Sequence, residues 1–113
     1  MGFDKLVNAF IYSLSGIGFL LKERAFVQEL VLGVGIVVLL CFSQNTVSEV
    51  LYIFSSYFLV LITEALNTCI ETVVNRVSLE KNHLSKKAKD IGSAAVFMSL
   101  LHLGAVVVLL IKF

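Results

Sequence analysis

The residues best suited to chemistry in this chain are carboxylates and amides that recur at helical spacing. Glu64, Asn67, Glu71 and Asn75 follow one another at intervals of three, four and four residues, which places them on one stripe of an α-helix. The apolar run 51–62 precedes them almost directly. Carboxylates beside so apolar a segment are costly unless they face protein or water, so they usually mark function. Such a stripe can bind a cation or accept a proton.

The composition indicates a membrane protein with one domain, residues 1–113. Of the 113 residues 58% are hydrophobic, against roughly 45–50% in soluble domains, and the mean hydropathy is +0.97. A soluble all-α bundle is the alternative interpretation. The net charge of +1 gives no indication of a nucleic-acid partner.

Three apolar segments predict membrane-spanning helices. The run 91–111 has no charged residue and, at ~1.5 Å per residue, reaches about 30 Å, the thickness of a bilayer core. Two earlier runs are shorter and become spans if neighbouring polar residues face a bundle interior. We expect spans at about 26–46, 47–68 and 90–112. The segment 3–22 is amphipathic and predicts a helix that lies on the membrane surface.

Basic residues set the expected topology. The 43–49 connection has no Lys or Arg, whereas the N-terminal segment and the 76–90 connection carry eight of them. The positive-inside rule then places the N-terminus and the 76–90 loop in the cytoplasm and the C-terminus in the periplasm. Lys86 and Lys87 are interpreted as charges that set the orientation of the chain in the membrane rather than as catalytic groups.

This topology brings acids and a lysine from all three spans to the cytoplasmic interface. Carboxylates with phosphate oxygens are typical Mg²⁺ ligands, and a lysine ammonium pairs with phosphate. Because the P-loop, G-x-G-x-x-G and H-R-D motifs are absent from the sequence, ATP chemistry would need a site built from helices. The converging residues are Glu23, Glu29, Glu64, Asn67, Glu71, Lys89 and Asp90.

Two motifs and their spacing resemble the prokaryotic diacylglycerol kinase family. They are Glu64-x-x-Asn67-Thr68-x-Ile70-Glu71-x-x-x-Asn75-Arg76 and Ala88-Lys89-Asp90-Ile91-Gly92-Ser93-Ala94-Ala95-Val96. The similarity continues upstream in Gly2-Phe3, Tyr12-Ser13, Glu23-x-Ala25-Phe26 and Gln28-Glu29, and so covers nearly the whole chain. Lys5 stands where the family often has Arg, and Asn75 where Asp is common.

The resemblance implies an all-α integral membrane fold: an N-terminal surface helix and three transmembrane helices, assembled as a homotrimer in the bacterial inner membrane. The implied activity is Mg-ATP-dependent phosphorylation of diacylglycerol to phosphatidate. It implies Glu64 as the general base, with Glu23 and Glu71 as ligands of Mg²⁺. The implied nucleotide-binding residues are Tyr12, Glu23, Glu71, Lys89 and Asp90, together with Lys5, Glu80, Lys81 and Asn82. Glu64 and Ser93 would contact the lipid, while Asn67 and Glu29 would order the site.

Other functions fit part of this pattern. Undecaprenol is the alternative substrate within the kinase interpretation, although the segment 91–95 looks more like the diacylglycerol branch. A small proton-coupled transporter would also place an acid in a short helical protein, but at the membrane midplane. A non-catalytic membrane adaptor would need no acid cluster.

Overall fold

A computed structural model describes residues 2–113, and this part of the chain folds into four α-helices. They are α1 (Gly2–Leu20), α2 (Arg24–Cys41), α3 (Val47–Val77) and α4 (His83–Leu110). The last three are long and apolar enough to cross a membrane. The predicted all-α fold, with one N-terminal helix before three membrane-spanning candidates, is confirmed.

Two helices are longer than the spans that the sequence predicts. α3 continues to Val77, past the expected end at 68, and α4 begins at His83, before the expected start at 90. Only residues 78–82 therefore connect them, in place of the expected 76–90 loop. The early start of α4 has a local cause, because the Asn82 side chain caps it by accepting hydrogen bonds from the N–H groups of Leu84 (2.8 Å) and Ser85 (3.4 Å).

α3 and α4 pack against each other and contribute most of the core. Ile53 and Val60 of α3 are fully buried, and α2 adds a single residue, Ile36, to the cluster that they form. The other core residues are Tyr57, Leu103 and Val106. Most large apolar side chains lie on the outside, as expected where the surroundings are lipid or another subunit.

α2 touches α3 along one narrow stripe, whereas α1 stays apart. The buried residues of α2 are Phe26, Glu29, Gly33 and Ile36, which recur every three or four positions and so share one face. None of the residues of α1 is buried. The position of α2 against α3 therefore depends on few contacts.

A polar clasp closes the end of the bundle where α3 begins. Thr46 and Glu49 form a capping box, and Glu49 Oε2 lies 2.9 Å from Lys112 Nζ beyond the end of α4. The Asn45 side chain donates to the carbonyl of Leu110 (2.6 Å) and accepts from the N–H of Lys112 (3.2 Å). The acidic stripe of α3 lies toward the opposite end of the helix.

Candidate active site

The polar stripe of α3 turns inward at two of its four residues. Glu64 and Asn67 are 6% and 7% exposed, Glu71 is half-buried, and Asn75 is exposed. A regular helix that runs from Val47 to Val77 carries all four, so their spacing fixes their common face. The buried part of the stripe is therefore the segment from Glu64 to Glu71.

Asn67 links Glu71 to α4. Its Nδ2 donates a hydrogen bond of 3.0 Å to Glu71 Oε1. Its Oδ1 is buried, has no hydrogen-bond partner within residues 2–113, and lies so close to Gly92 that a Cβ there would overlap it. Gly92 is thus part of the site, although the sequence assigns it no role. Its position one residue before Ser93 in the α4 motif was the available signal.

Carboxylates of α2 approach those of α3. Glu29 is buried, and Glu23 is the exposed N-cap residue of α2. The Glu64 carboxylate lies within electrostatic reach of Glu71 and Glu23, and the Glu29 carboxylate within reach of Glu64. We call Glu23, Glu29, Glu64 and Glu71 the acidic group. Because four like charges repel one another, this arrangement favours the binding of a cation.

The acidic group matches Mg²⁺ in the chemistry of its donors. Within the described residues 2–113, no three His, Cys, Asp or Glu side chains gather closely enough to hold a metal ion by themselves. Mg²⁺ commonly takes one or two carboxylates and completes its shell with phosphate oxygens and water. The predicted pair Glu23 and Glu71 supplies such carboxylates from two helices.

A second polar region lies where α4 begins. A cavity of about 590 Å³ is lined by Glu80, Lys81, Asn82, Lys89 and Asp90, all five of which the sequence analysis assigned to nucleotide. Leu79, His83, Ser85 and Lys86 complete its wall. We call it the loop cavity. The structure therefore brings these loop and helix residues together.

The two lysines in this region have different partners. Lys86 Nζ lies 2.6 Å from Asp90 Oδ2 in an exposed ion pair one helical turn apart. Lys89 is half-buried, and no ion pair is found for it in the described part of the chain. Lys86 thus contacts a predicted site residue as well as contributing to the charge of the segment. Lys89 can direct its charge toward a phosphate.

The remaining predicted residues are exposed, and none of them lines the loop cavity. Lys5 and Tyr12 are exposed on α1, and Ser93 is exposed on α4. The walls of the loop cavity include no member of the acidic group. Five of the predicted nucleotide residues therefore line the loop cavity, whereas Glu23 and Glu71 belong to the acidic group and Lys5 and Tyr12 lie on α1.

Two hydrogen bonds near the acidic group have as donors side chains for which the sequence predicts no role. Thr63 Oγ1 donates to Ser99 Oγ at 3.0 Å and connects α3 to α4 next to Glu64. Tyr57 Oη donates to the backbone carbonyl of Glu29 at 2.8 Å. No sequence pattern pairs a tyrosine with a carbonyl 28 residues away on another helix.

Comparison with known proteins gives consistent matches over nearly the whole chain. Residues 11–111 match the family model described as prokaryotic diacylglycerol kinase. The diacylglycerol kinase of Haemophilus influenzae is 41% identical over 106 residues, which cover 93% of this chain and 90% of the relative. That of Escherichia coli K12 is 41% identical over 102 residues, 88% and 83% of the two chains. The enzyme of Helicobacter pylori is 33% identical over 101 residues, 88% and 79%.

Proposed function

Because the chain belongs to the prokaryotic diacylglycerol kinase family, we propose that it transfers the γ-phosphoryl group of ATP to the hydroxyl of diacylglycerol and so forms phosphatidic acid. Membership of this family makes the protein a lipid kinase, and its three apolar helices suit a multi-pass protein of the bacterial inner membrane. The structural observation that carries the proposal is the convergence of the buried Glu64 with carboxylates from two helices.

Glu64 is the proposed general base. Its side chain is buried where the apolar part of α3 gives way to the polar stripe, which is the depth expected for a hydroxyl near the lipid headgroups. Glu64 accepts the hydroxyl proton as the oxygen attacks phosphorus. Ser93, which is exposed on α4 one residue after Gly92, is the proposed contact for the lipid headgroup.

The other assigned residues bind and orient the nucleotide. Glu23 and Glu71 would hold Mg²⁺, and Asn67 orients Glu71 through its hydrogen bond. When bound there, the metal would supply positive charge that offsets the negative charge of the ATP phosphates. Lys89 and Asp90 bind ATP in the loop cavity with residues 80–82, and Tyr12 and Lys5 are the proposed nucleotide contacts on α1. Glu29 orders the site beside Glu64.

A homotrimer is the proposed assembly. The chain buries few of its apolar side chains, and Tyr12 of α1 is exposed and does not line the loop cavity. Neighbouring copies would cover apolar surface and bring α1 to the nucleotide site. The N-terminus and the connection between α3 and α4 are proposed to face the cytoplasm, where ATP is found.

A side-by-side assay of two lipids tests the proposed function. Purified protein in lipid vesicles receives labelled ATP, Mg²⁺ and either diacylglycerol or undecaprenol, and thin-layer chromatography separates the products. We expect labelled phosphatidate as the main product, and none without Mg²⁺. Preferential labelling of undecaprenol would replace the proposed substrate. No labelled lipid from either substrate would reject the kinase assignment for this chain.

A further inference from the structure

Tyr57 makes a contact between α2 and α3 that differs in kind from the rest of their interface. The side chain is 7% exposed, and its hydroxyl donates to the Glu29 carbonyl at 2.8 Å. Among residues 2–113 this is the only hydrogen bond that joins these two helices. Elsewhere on the α2 stripe, Ile36 packs into the apolar core, and Phe26 is buried.

Gly33 makes room for this contact. It lies one helical turn after Glu29, and a Cβ at this position would overlap Oη, Cζ and Cε2 of Tyr57. The ring therefore crosses α2 at the one place on the stripe where no side chain stands in its path. Gly35, two residues later on α2, has open space around it, so its lack of a side chain serves no such contact.

The contact matters because of what α2 carries. Glu23 is at the start of this helix and Glu29 is in its second turn, whereas Glu64 and Glu71 are on α3. The distances between these carboxylates depend on how far α2 slides or rotates against α3. Apolar side chains that pack in lipid fix that register weakly, because lipid tails are as apolar as the side chains. A directional hydrogen bond into a glycine gap fixes it more sharply.

We propose that Tyr57 is a positioning residue whose hydroxyl, seated against Gly33, sets the register of α2 on α3 and so holds Glu23 and Glu29 at their working distances from Glu64 and Glu71. The inference rests on the proposed function for its effect on Mg²⁺, but its structural part stands on the contact itself.

The first test measures the geometry and needs no catalysis. Nitroxide labels are placed at Val31 on α2 and Phe58 on α3, both exposed, in protein whose two cysteines are replaced by alanine. Labelled chains are diluted with unlabelled ones, and pulsed electron paramagnetic resonance gives the distance distribution. Tyr57→Phe removes only the hydroxyl, and we expect it to broaden that distribution.

The second test measures the dependence of the rate on Mg²⁺. In Tyr57→Phe the free Mg²⁺ concentration at half-maximal rate should rise about 3- to 20-fold, the range expected from one hydrogen bond between membrane helices. A smaller fraction of folded enzyme would lower the maximal rate without moving this concentration. Tyr52→Phe is the matched control, because Tyr52 is an exposed tyrosine of the same helix whose hydroxyl has no partner among the described residues. In Tyr52→Phe, the distance distribution and the Mg²⁺ concentration at half-maximal rate should both equal those of the parent protein.

A paired substitution separates the hydroxyl from the packing. Gly33→Ala should lengthen the measured distance, because its methyl group and the Tyr57 ring cannot share the gap. The double variant Gly33→Ala, Tyr57→Val removes the ring, so the mean distance between the labels should return to the parent value. The width of its distance distribution and its Mg²⁺ response should match those of Tyr57→Phe, because the hydroxyl is absent from both.

The inference is overturned if Tyr57→Phe matches the parent in either its distance distribution or its Mg²⁺ response. It is also overturned if the paired variant recovers the parent Mg²⁺ response without the hydroxyl. If the parent phosphorylates neither lipid, the proposed function fails, and the distance measurements alone then decide whether Tyr57 sets the register.

Discussion

At the scale of residues, Glu71 combines two interactions that a single substitution can separate. Its carboxylate accepts a hydrogen bond from Asn67, and its charge adds to the acidic group. Glutamine retains an oxygen that can accept the same hydrogen bond, but it has no charge. A change in the Mg²⁺ response of Glu71→Gln therefore reports the effect of the Glu71 charge, because the hydrogen bond from Asn67 is retained.

Glu71→Gln should weaken the response to Mg²⁺ on the order of tenfold or more, because a neutral amide is a poorer ligand than a carboxylate. The measurement is the rate of phosphatidate formation against free Mg²⁺ at saturating lipid. Glu49→Gln is the matched control, since Glu49 lies in the clasp at the other end of the same helix. An unchanged Mg²⁺ response in Glu71→Gln would remove it from the metal site.

Gly92→Ala should impair both folding and catalysis, because its methyl group would overlap the Asn67 amide. Overpacking of this kind costs about 1–3 kcal/mol, so we expect a lower unfolding temperature in detergent and a loss of activity. Gly104→Ala is the control on the same helix, as a Cβ there meets nothing within 4 Å. If the two alanine variants behave alike, the close approach of Asn67 to α4 has no consequence.

At the scale of elements, helical periodicity predicted which polar residues of α3 share one face, and that face carries part of the candidate site. Glu64, Asn67 and Glu71 needed only the spacing of an α-helix to share a face, and the structure gives them one. Glu80 and Asp90 also line the same cavity, because a short connection turns the chain back on itself.

Contacts between helices were beyond the same reasoning. The gap at Gly33 and the approach of Gly92 to Asn67 depend on the register of one helix against another, which no periodicity in a single sequence determines. The early start of α4 was missed for a different reason. A run rich in lysine was interpreted as a loop, although lysine and alanine are good helix formers and Asn82 is a strong N-cap.

The connection between α2 and α3 and the connection between α3 and α4 should lie on opposite sides of the membrane. In protein without its natural cysteines, Gln44→Cys marks the connection before α3, and Leu79→Cys marks the connection after it. A maleimide that does not cross membranes should label position 44 from the periplasm and position 79 only after the inner membrane is opened. The reverse pattern would place the acidic group on the wrong side for ATP.

At the scale of the whole molecule, the apolar surface of one chain exceeds what its own helices cover. No residue of α1 is buried, and neither α1 nor the acidic group contributes a residue to the walls of the loop cavity. This distribution is expected of a subunit, since acids at a membrane boundary need walls on several sides.

Native mass spectrometry of the protein released from detergent micelles should show a trimer as the main species. We expect a trimer because neighbouring copies would cover the exposed apolar surface and the acidic group of each chain. An active protein that is monomeric under the same conditions would contradict the proposed assembly and would require one chain to complete the site.

The central claim is that the buried Glu64 takes the proton of the lipid hydroxyl. Its most direct test is the rate of phosphatidate formation by Glu64→Gln in purified, reconstituted protein. General-base catalysis contributes about 10²–10⁴-fold, so labelled phosphatidate should fall by that range while equilibrium dialysis still detects binding of Mg-ATP. Turnover within about twofold of the parent would contradict the account, because a glutamine amide does not serve as the base.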